Sequence, residues 1–494
     1  MKAAYFRWAA YALYAIIVTA LLFGLFANWA YDDPFITFRY AENLALGNGF
    51  VFNLGERVLS TTTPLFTLVL AAARFVTSDL QRAANFISAL STALGGLCLF
   101  ELACCWRRSE AGNVMSWVAL LLYPTLPLLL NTFGSEVATY VTLCLATLLC
   151  YAKNRYTLCG LCAALATLAR NDGVLVVVVI GVHLLFSLWK GRSRLNILRF
   201  WRSFMPVYAG IVGAWIAFAW VYFGWPLPVT LAAKRAQGGM AISSSFAIRF
   251  LSVAESYGQY TWYRIAVGLA CIGLVYGLVS RTKPSRAALG LLLGWTALYF
   301  ISYSALGVSG YFWYYAPLVP GFVVLVGLGA QTVVDGLRRL FPSVPHPFGR
   351  AATLAGVVAL IAVPWANMPA AAKKLDARAP LYQAMGTWLR TNTPLDASVG
   401  MLEVGIMGYY AQRRIIDFAG LIQPEVTRQI THETHYEQMA QWATEHYRPN
   451  YIVLHEGFAP NLEQTYIAQH CQLAQHFAGA DYGYGTNMNV FRCA

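Results

Sequence analysis

Long apolar runs, broken by short polar or basic stretches, recur along this chain from its N-terminus to about residue 367. Each run approaches the roughly 20 residues that a helix needs to cross a bilayer. The pattern predicts spans near 8–29, 82–106, 114–130 and 137–151, then two short spans joined at Arg170-Asn171-Asp172 with Gly173 in the turn. Further spans are predicted near 204–223, from Arg264 to just before "RTKPSR", near 287–306, from Tyr314 to "GLRRL", and near 351–367, about eleven in all. The basic breaks at Arg107-Arg108, at Lys153 and Arg155, in "KGRSRLNILRFWR", in "RTKPSR" and in "GLRRLFPSVPHPFGR" then all fall on one side, which the positive-inside rule makes cytoplasmic.

Two stretches depart from this rhythm. The first outer loop, 31–81, opens with "YDDPFITFRYAENLALGNG". Asp33 followed by Pro34 is a helix-start signal, an acidic N-cap before Pro at the first helical position. Phe35, Phe38, Ala41, Leu44 and Ala45 then form one apolar stripe, and the glycines of "GNG" end the helix. "PLFTLVLAAARFV", too short to cross, predicts a second helix lying at the interface. From residue 369 the composition becomes that of a soluble domain, dividing the chain into 1–368 and 369–494. In the second part "LYQAMGTWLRTNTP" and "YEQMAQWATEHY" read as helices. "SVGMLEVG", "RRIIDFAG", "NYIVLH" and "TNMNVFRC" read as strands of a small α/β domain.

Composition sharpens the class. The chain is 58% hydrophobic and only 12% charged, where soluble domains carry about 25%. The net charge of +13 sits mostly in the loops between spans, so it speaks for anionic lipid headgroups and against nucleic acid. The cysteines offer no zinc spacing, and Cys159 and Cys162 in "CGLC" read as small packing residues of a span. Cys471 and Cys493 lie in the polar C-terminal part and could form one disulfide if that part is outside the cell. "THETHYE" spaces its histidines three apart, not the four of a zinc-binding helix.

Under this topology, ionisable groups gather at the outer ends of the spans: Asp32, Asp33, Glu136, Arg170, Asp172, Lys234 and Arg235, with Trp313 and Tyr314 nearby. A transporter would hold such groups near mid-membrane, so the placement favours a reaction at the interface. Lysine and arginine can hold a lipid-linked phosphate there, and a carboxylate can take a proton from an incoming hydroxyl. Each residue also has a plainer role. Asp33 caps a helix, which leaves Asp32 uncommitted and the preferred base. Glu136 can cap the helix that follows it. Arg170 and Asp172 can pair with each other, and Lys234 can snorkel to headgroups. Arg39 can bridge Glu42 or face the substrate, and Trp313, Tyr314 and Tyr315 can form an aromatic belt.

"DDPFITFRYAENLALGNGFVFNLGERV" with "TTTPLF" resembles the first outer loop of GT-C fold glycosyltransferases, and most of all the arabinofuranosyltransferases of mycobacterial-type cell walls that use decaprenyl-phosphate arabinose. "GSEVATYV", "LARNDGVL", "WPLPVTLAAK" and "EVGIMGYYAQRRIIDFAGLIQPEV" resemble further segments of that family in the same order, with Asn171 in place of a proline and Val229 in place of an asparagine. The resemblance implies a polytopic α-helical membrane protein of GT-C fold, with interfacial helices in the first outer loop and a small C-terminal extracytoplasmic α/β domain. It implies transfer of a sugar from a polyprenyl-phosphate donor to a cell-envelope glycan acceptor at the outer face of the plasma membrane. A first-loop aspartate, Asp32 or Asp33, would be the base, with Arg39, Glu136, Arg170, Asp172, Lys234, Arg235, Trp313 and Tyr314 at the substrate. The resemblance names no certain cofactor, but several GT-C members use a divalent cation, to which Asp32, Glu136 and Asp172 could offer oxygen ligands. The alternatives are another polyprenyl-phosphate sugar such as mannose, a flippase for lipid-linked glycans, or a glycan-binding scaffold.

Overall fold

The computed structural model describes residues 2–107, 113–191, 194–279, 286–343, 346–374 and 376–494. Arg108 and most of "RTKPSR", two of the expected inner breaks, lie outside the described residues.

A helix forms at each of the eleven places where the apolar pattern asks for one. Eight stretches are long and apolar enough to cross a membrane, among them Tyr5–Phe26, Leu80–Cys105, Ile197–Phe223 and Phe312–Leu340. The helical stretches Val114–Thr125, Val137–Ala152 and Tyr156–Ala169 are shorter. Pro124 and Pro127 explain the first of these: the helix tightens at Tyr123–Thr125 and resumes only as Pro127–Leu130. Leu80–Cys105 and Phe312–Leu340 are the centre of the bundle, each with 67% of its most apolar window buried by protein. In Ile197–Phe223 and Thr261–Val279 that share is 11%, so their apolar surface is left for lipid.

The first-loop helix, Pro34–Ala45, was expected to lie on the bilayer by one stripe. Instead it is buried nearly all round, from Pro34 to Ala41 and again at Asn43. The reason is the C-terminal domain, which packs on its far side. Phe35, Phe38, Phe50 and Phe52 share one core with Met385, Ile406, Met407, Ile415 and Tyr451. Gly47 and Gly49 follow the helix at positive φ (80° and 91°) and turn the chain back under it.

The last membrane-type helix runs His346–Ala372, past the composition change at 369. The C-terminal part carries five strands: β1 (Ser398–Met401), β2 (Arg414–Asp417), β3 (Tyr451–His455), β4 (Cys471–Phe477) and β5 (Met488–Cys493), in the order β2-β1-β3-β5-β4. β1 lies parallel to β2 and β3, while β5 runs antiparallel to β3 and β4. Four of these strands were readable in the sequence. β4 was not, because it is an edge strand that buries only Phe477 and so carries no alternation. Its first residue faces the last of β5, and Cys471 and Cys493 are disulfide-bonded there.

Candidate active site

The two aspartates that follow the first helix part company. Asp32 turns to the C-terminal domain, where its Oδ2 accepts the Gly405 N–H at 3.0 Å and its Oδ1 the Ile406 N–H at 2.8 Å. These are free donors at the start of the helix Ile406–Ala411, so the carboxylate satisfies orphan groups of a helix N-terminus. The approach demands glycine: a Cβ on Gly405 would fall 1.9 Å from the Asp32 carbonyl oxygen. Burial pushes the Asp32 pKa up to about 7, against the lowering effect of the two N–H donors.

Asp33 occupies the N-cap position of Pro34–Ala45, yet its side chain makes no capping bond. Its backbone is already helical (φ −52°, ψ −43°), which carries the carboxylate away from the first-turn N–H groups. Instead Asp33 Oδ2 meets Lys234 Nζ at 2.8 Å. The expectation that Asp33 caps while Asp32 stays free is therefore reversed.

Asp33 and Lys234 stand in a cavity of about 330 Å3, also lined by Glu136, Arg170, Asp172, Trp313 and Tyr314. The cavity thus joins residues from the first loop, three helix junctions and the helix Val229–Gly238. Arg170 sits in extended conformation (φ −154°, ψ 138°) between Tyr156–Ala169 and the turn Asn171–Gly173, so it can reach both sides. Its Nη1 donates to Glu136 Oε1 at 2.8 Å, and its Nε and Nη2 fork onto the Asp172 carboxylate at 3.0–3.2 Å. Nη2 also donates to the Tyr303 hydroxyl at 2.8 Å, and that hydroxyl donates to Asp172. Glu136, expected as a helix cap, makes no capping bond because Arg170 claims it.

Lys234 is held in an aromatic cage, with its Nζ 4.8 Å from the Trp313 ring centroid, 4.9 Å from Tyr311 and 5.9 Å from Tyr314. Burial pulls its pKa down, but Asp33 and the phenol oxygens of Tyr314 and Tyr311 outweigh burial, so the ammonium stays charged. Trp313 stacks between Tyr311 (4.6 Å) and Tyr31 (5.8 Å), a packed wall where a membrane-facing belt was the plainer expectation.

Two expected substrate residues lie elsewhere. Arg39 is buried under the C-terminal domain and donates to the carbonyls of Phe52 (2.8 Å), Gly408 (2.6 Å) and Arg413, over the face of Phe52. Arg235, one residue on from Lys234, is turned to the exposed side of the same helix. A cation site made of Asp32, Glu136 and Asp172 does not form: Asp32 faces Gly405, and the other two bracket Arg170. Among the described residues no three His, Cys, Asp or Glu side chains gather to hold a metal ion. Tyr303 and the hydroxyl run Ser60–Thr63 line the cavity and were missed. Tyr299 and Tyr303, one turn apart on an apolar helix, were the signal that could have found the former.

Comparison with known proteins follows the same outline. Residues 372–491 match a domain of unknown function (DUF8728). A stretch of 74 residues is 39% identical to the terminal beta-(1->2)-arabinofuranosyltransferase of Corynebacterium glutamicum, covering 14% of this chain and 11% of that relative. Among solved structures, ArnT from Cupriavidus metallidurans aligns over 99% of this chain and 98% of its own, with TM-score 0.58 and 14% identity. The archaeal oligosaccharyltransferase AglB of Archaeoglobus fulgidus, solved with an inhibitory peptide and a dolichol-phosphate, aligns over 98% of this chain and 74% of its own, with TM-score 0.61 and 13% identity.

Proposed function

The multi-pass bundle has the GT-C fold, and from that premise we propose that the chain is a membrane glycosyltransferase. It moves a sugar from a polyprenyl-phosphate donor to a hydroxyl of a cell-envelope glycan, with arabinofuranose as the sugar. The observation that carries the reading is the Asp33–Lys234 ion pair inside a shared cavity. The resemblance of the first loop, the short match to an arabinofuranosyltransferase and the dolichol-phosphate bound to a structural neighbour support it.

The charges suggest how such a site works. Three carboxylates and two cations line the cavity, a formal net charge of −1, so no cation waits unpaired for a phosphate. Arg170 is saturated by two carboxylates and a phenol. Lys234 holds one carboxylate oxygen and is the cation able to exchange it. In the proposed reaction the donor phosphate takes Lys234 from Asp33. The freed Asp33 carboxylate accepts the proton of the acceptor hydroxyl as its oxygen attacks the anomeric carbon. The bond from that carbon to the phosphate oxygen breaks, and polyprenyl phosphate leaves with its charge on Lys234. This gives the base role to Asp33 because both oxygens of Asp32 are committed to backbone donors. The Cys471–Cys493 disulfide supports an extracytoplasmic C-terminal domain, since such bonds persist in oxidising compartments.

The test is transfer of labelled arabinofuranose from its polyprenyl phosphate to an arabinan oligosaccharide by purified protein in nanodiscs, with the mannose donor in parallel. A new glycosidic bond is expected with the first donor. Movement of lipid-linked sugar across the bilayer with no bond formed would replace the reading with that of a flippase.

A further inference from the structure

One wall of the cavity carries hydroxyls and no charge. Ser60, Thr61 and Thr63 are buried at its edge, in the part of the first loop that leads into the helix Pro64–Ala73. The Ser60 backbone is fixed on both sides: its N–H donates to the Tyr40 hydroxyl at 3.1 Å, and its carbonyl accepts Thr230 Oγ1 at 3.0 Å. The Val229 N–H donates to the Leu59 carbonyl at 2.9 Å, so the wall is tied twice to the helix that carries Lys234. Beside it, Thr37 Oγ1 lies 3.2 Å from Thr63 Oγ1 and 3.4 Å from Thr61 Oγ1, which are 3.0 Å from each other. Within this satisfied framework the Ser60 Oγ is buried without a hydrogen-bond partner, although Ser60 lines the cavity. A buried hydroxyl left unpaired costs free energy that a ligand hydroxyl can recover. A hydroxyl both donates and accepts and rotates to suit its partner, which matches a neutral sugar ring better than an anion.

We infer that Ser60, with Thr37, Thr61 and Thr63 behind it, is the wall that reads the hydroxyls of the donor's sugar ring while Lys234 holds the phosphate. The inference rests on the glycosyl-transfer reading and adds to it the residue that selects the sugar. A site that hydrogen-bonds a substrate hydroxyl rejects the analogue lacking it, because its own polar group is then left unpaired. Ser60 is thus a specificity residue, with no part in proton transfer.

The experiment compares polyprenyl-phosphate arabinofuranose with its 2-, 3- and 5-deoxy analogues, for the unmodified protein and for Ser60→Ala. The unmodified protein is expected to disfavour one analogue by about tenfold or more in kcat/KM. Ser60→Ala is expected to lose about five- to tenfold on the parent donor, mostly through KM, and to treat the parent and that analogue alike. Ser60→Cys, nearly isosteric and a weak donor, repeats the comparison if the alanine variant misfolds. Transfer that proceeds with the parent-to-analogue ratio unchanged by both variants overturns the inference and leaves Ser60 facing a structural water. Absence of transfer by the unmodified protein overturns the glycosyl-transfer reading and the inference with it.

Discussion

Asp32 and Asp33 leave the chain side by side and enter two regions built on different terms. At the seam between the first loop and the C-terminal domain, the buried polar side chains meet main-chain groups, and the ion pair that crosses it, Arg414–Glu56, lies at its exposed edge. Asp32 accepts two backbone N–H bonds, Arg39 donates to three backbone carbonyls, and Asn53 exchanges hydrogen bonds with both the N–H and the C=O of Ile415. In the cavity, charged side chains meet other side chains: Asp33 with Lys234, and Arg170 with Glu136 and Asp172. A main-chain partner is fixed by the fold and cannot be traded. A side-chain partner can be exchanged for a ligand at the cost of a rotamer change. Arg39 and Arg170 are both buried and Asp32 and Asp33 both half-buried, so the exchangeability of the partner separates docking from chemistry.

The largest effect is expected at Asp33. Asp33→Asn should lower turnover by about 10²–10⁴-fold while thermal unfolding stays where it was. A folded Asp32→Asn variant that lost more activity than Asp33→Asn would break the comparison. Next is Arg39→Met, which removes the guanidinium's hydrogen bonds to three buried carbonyls and leaves that of Arg413 without its donor. It should destabilise the seam by about 3 kcal/mol or more, read as faster proteolysis of the C-terminal domain, with turnover of the folded fraction nearly unchanged. Lys234→Met should raise the KM for donor by roughly 10- to 100-fold, the worth of one charge-assisted contact, and leave the protease pattern alone.

The smallest effect is one of pH. Asp32 has its pKa raised to about 7 by burial, and Glu403, also raised by burial, lies on the neighbouring segment. A carboxyl raised on folding holds its proton longer in the folded chain than in the unfolded one. Its stabilising contribution is complete below the ordinary carboxylate range and is lost as pH rises through about 7. Protection of the C-terminal domain against protease should therefore weaken between about pH 4 and 7. Asp32→Asn should flatten part of that slope, with Glu403 supplying the rest.

The legible features were those that depend on near neighbours. The apolar runs announced a helix at each of the eleven places expected, Gly47 and Gly49 marked the turn after Pro34–Ala45, and "YEQMAQWATEHY" named its helix to the residue. Glu136, Arg170, Asp172 and Lys234 were legible as a group because each ends a span on the same side, and the cavity does bring them together. The misreadings share one cause. Arg39 was weighed against Glu42 on its own helix, but its partners Gly408 and Arg413 lie more than 360 residues on. The Asp33-Pro34 signal was read as a cap because capping is a local rule. Lys234, 201 positions away, supplied the competing partner.

The sequence by itself determined the class of protein, the helices and the side on which its charges gather. Span hydrophobicity, turn residues and the sign of loop charge act over a few residues and need no knowledge of the rest of the chain. Only the tertiary structure decided which aspartate faces the cavity, that Arg39 belongs to the seam, and that the Ser60 hydroxyl is buried without a partner. Those outcomes depend on which distant group arrives first within hydrogen-bond reach. Burial makes that contest decisive, because a charge cut off from water takes the partner the fold delivers to it.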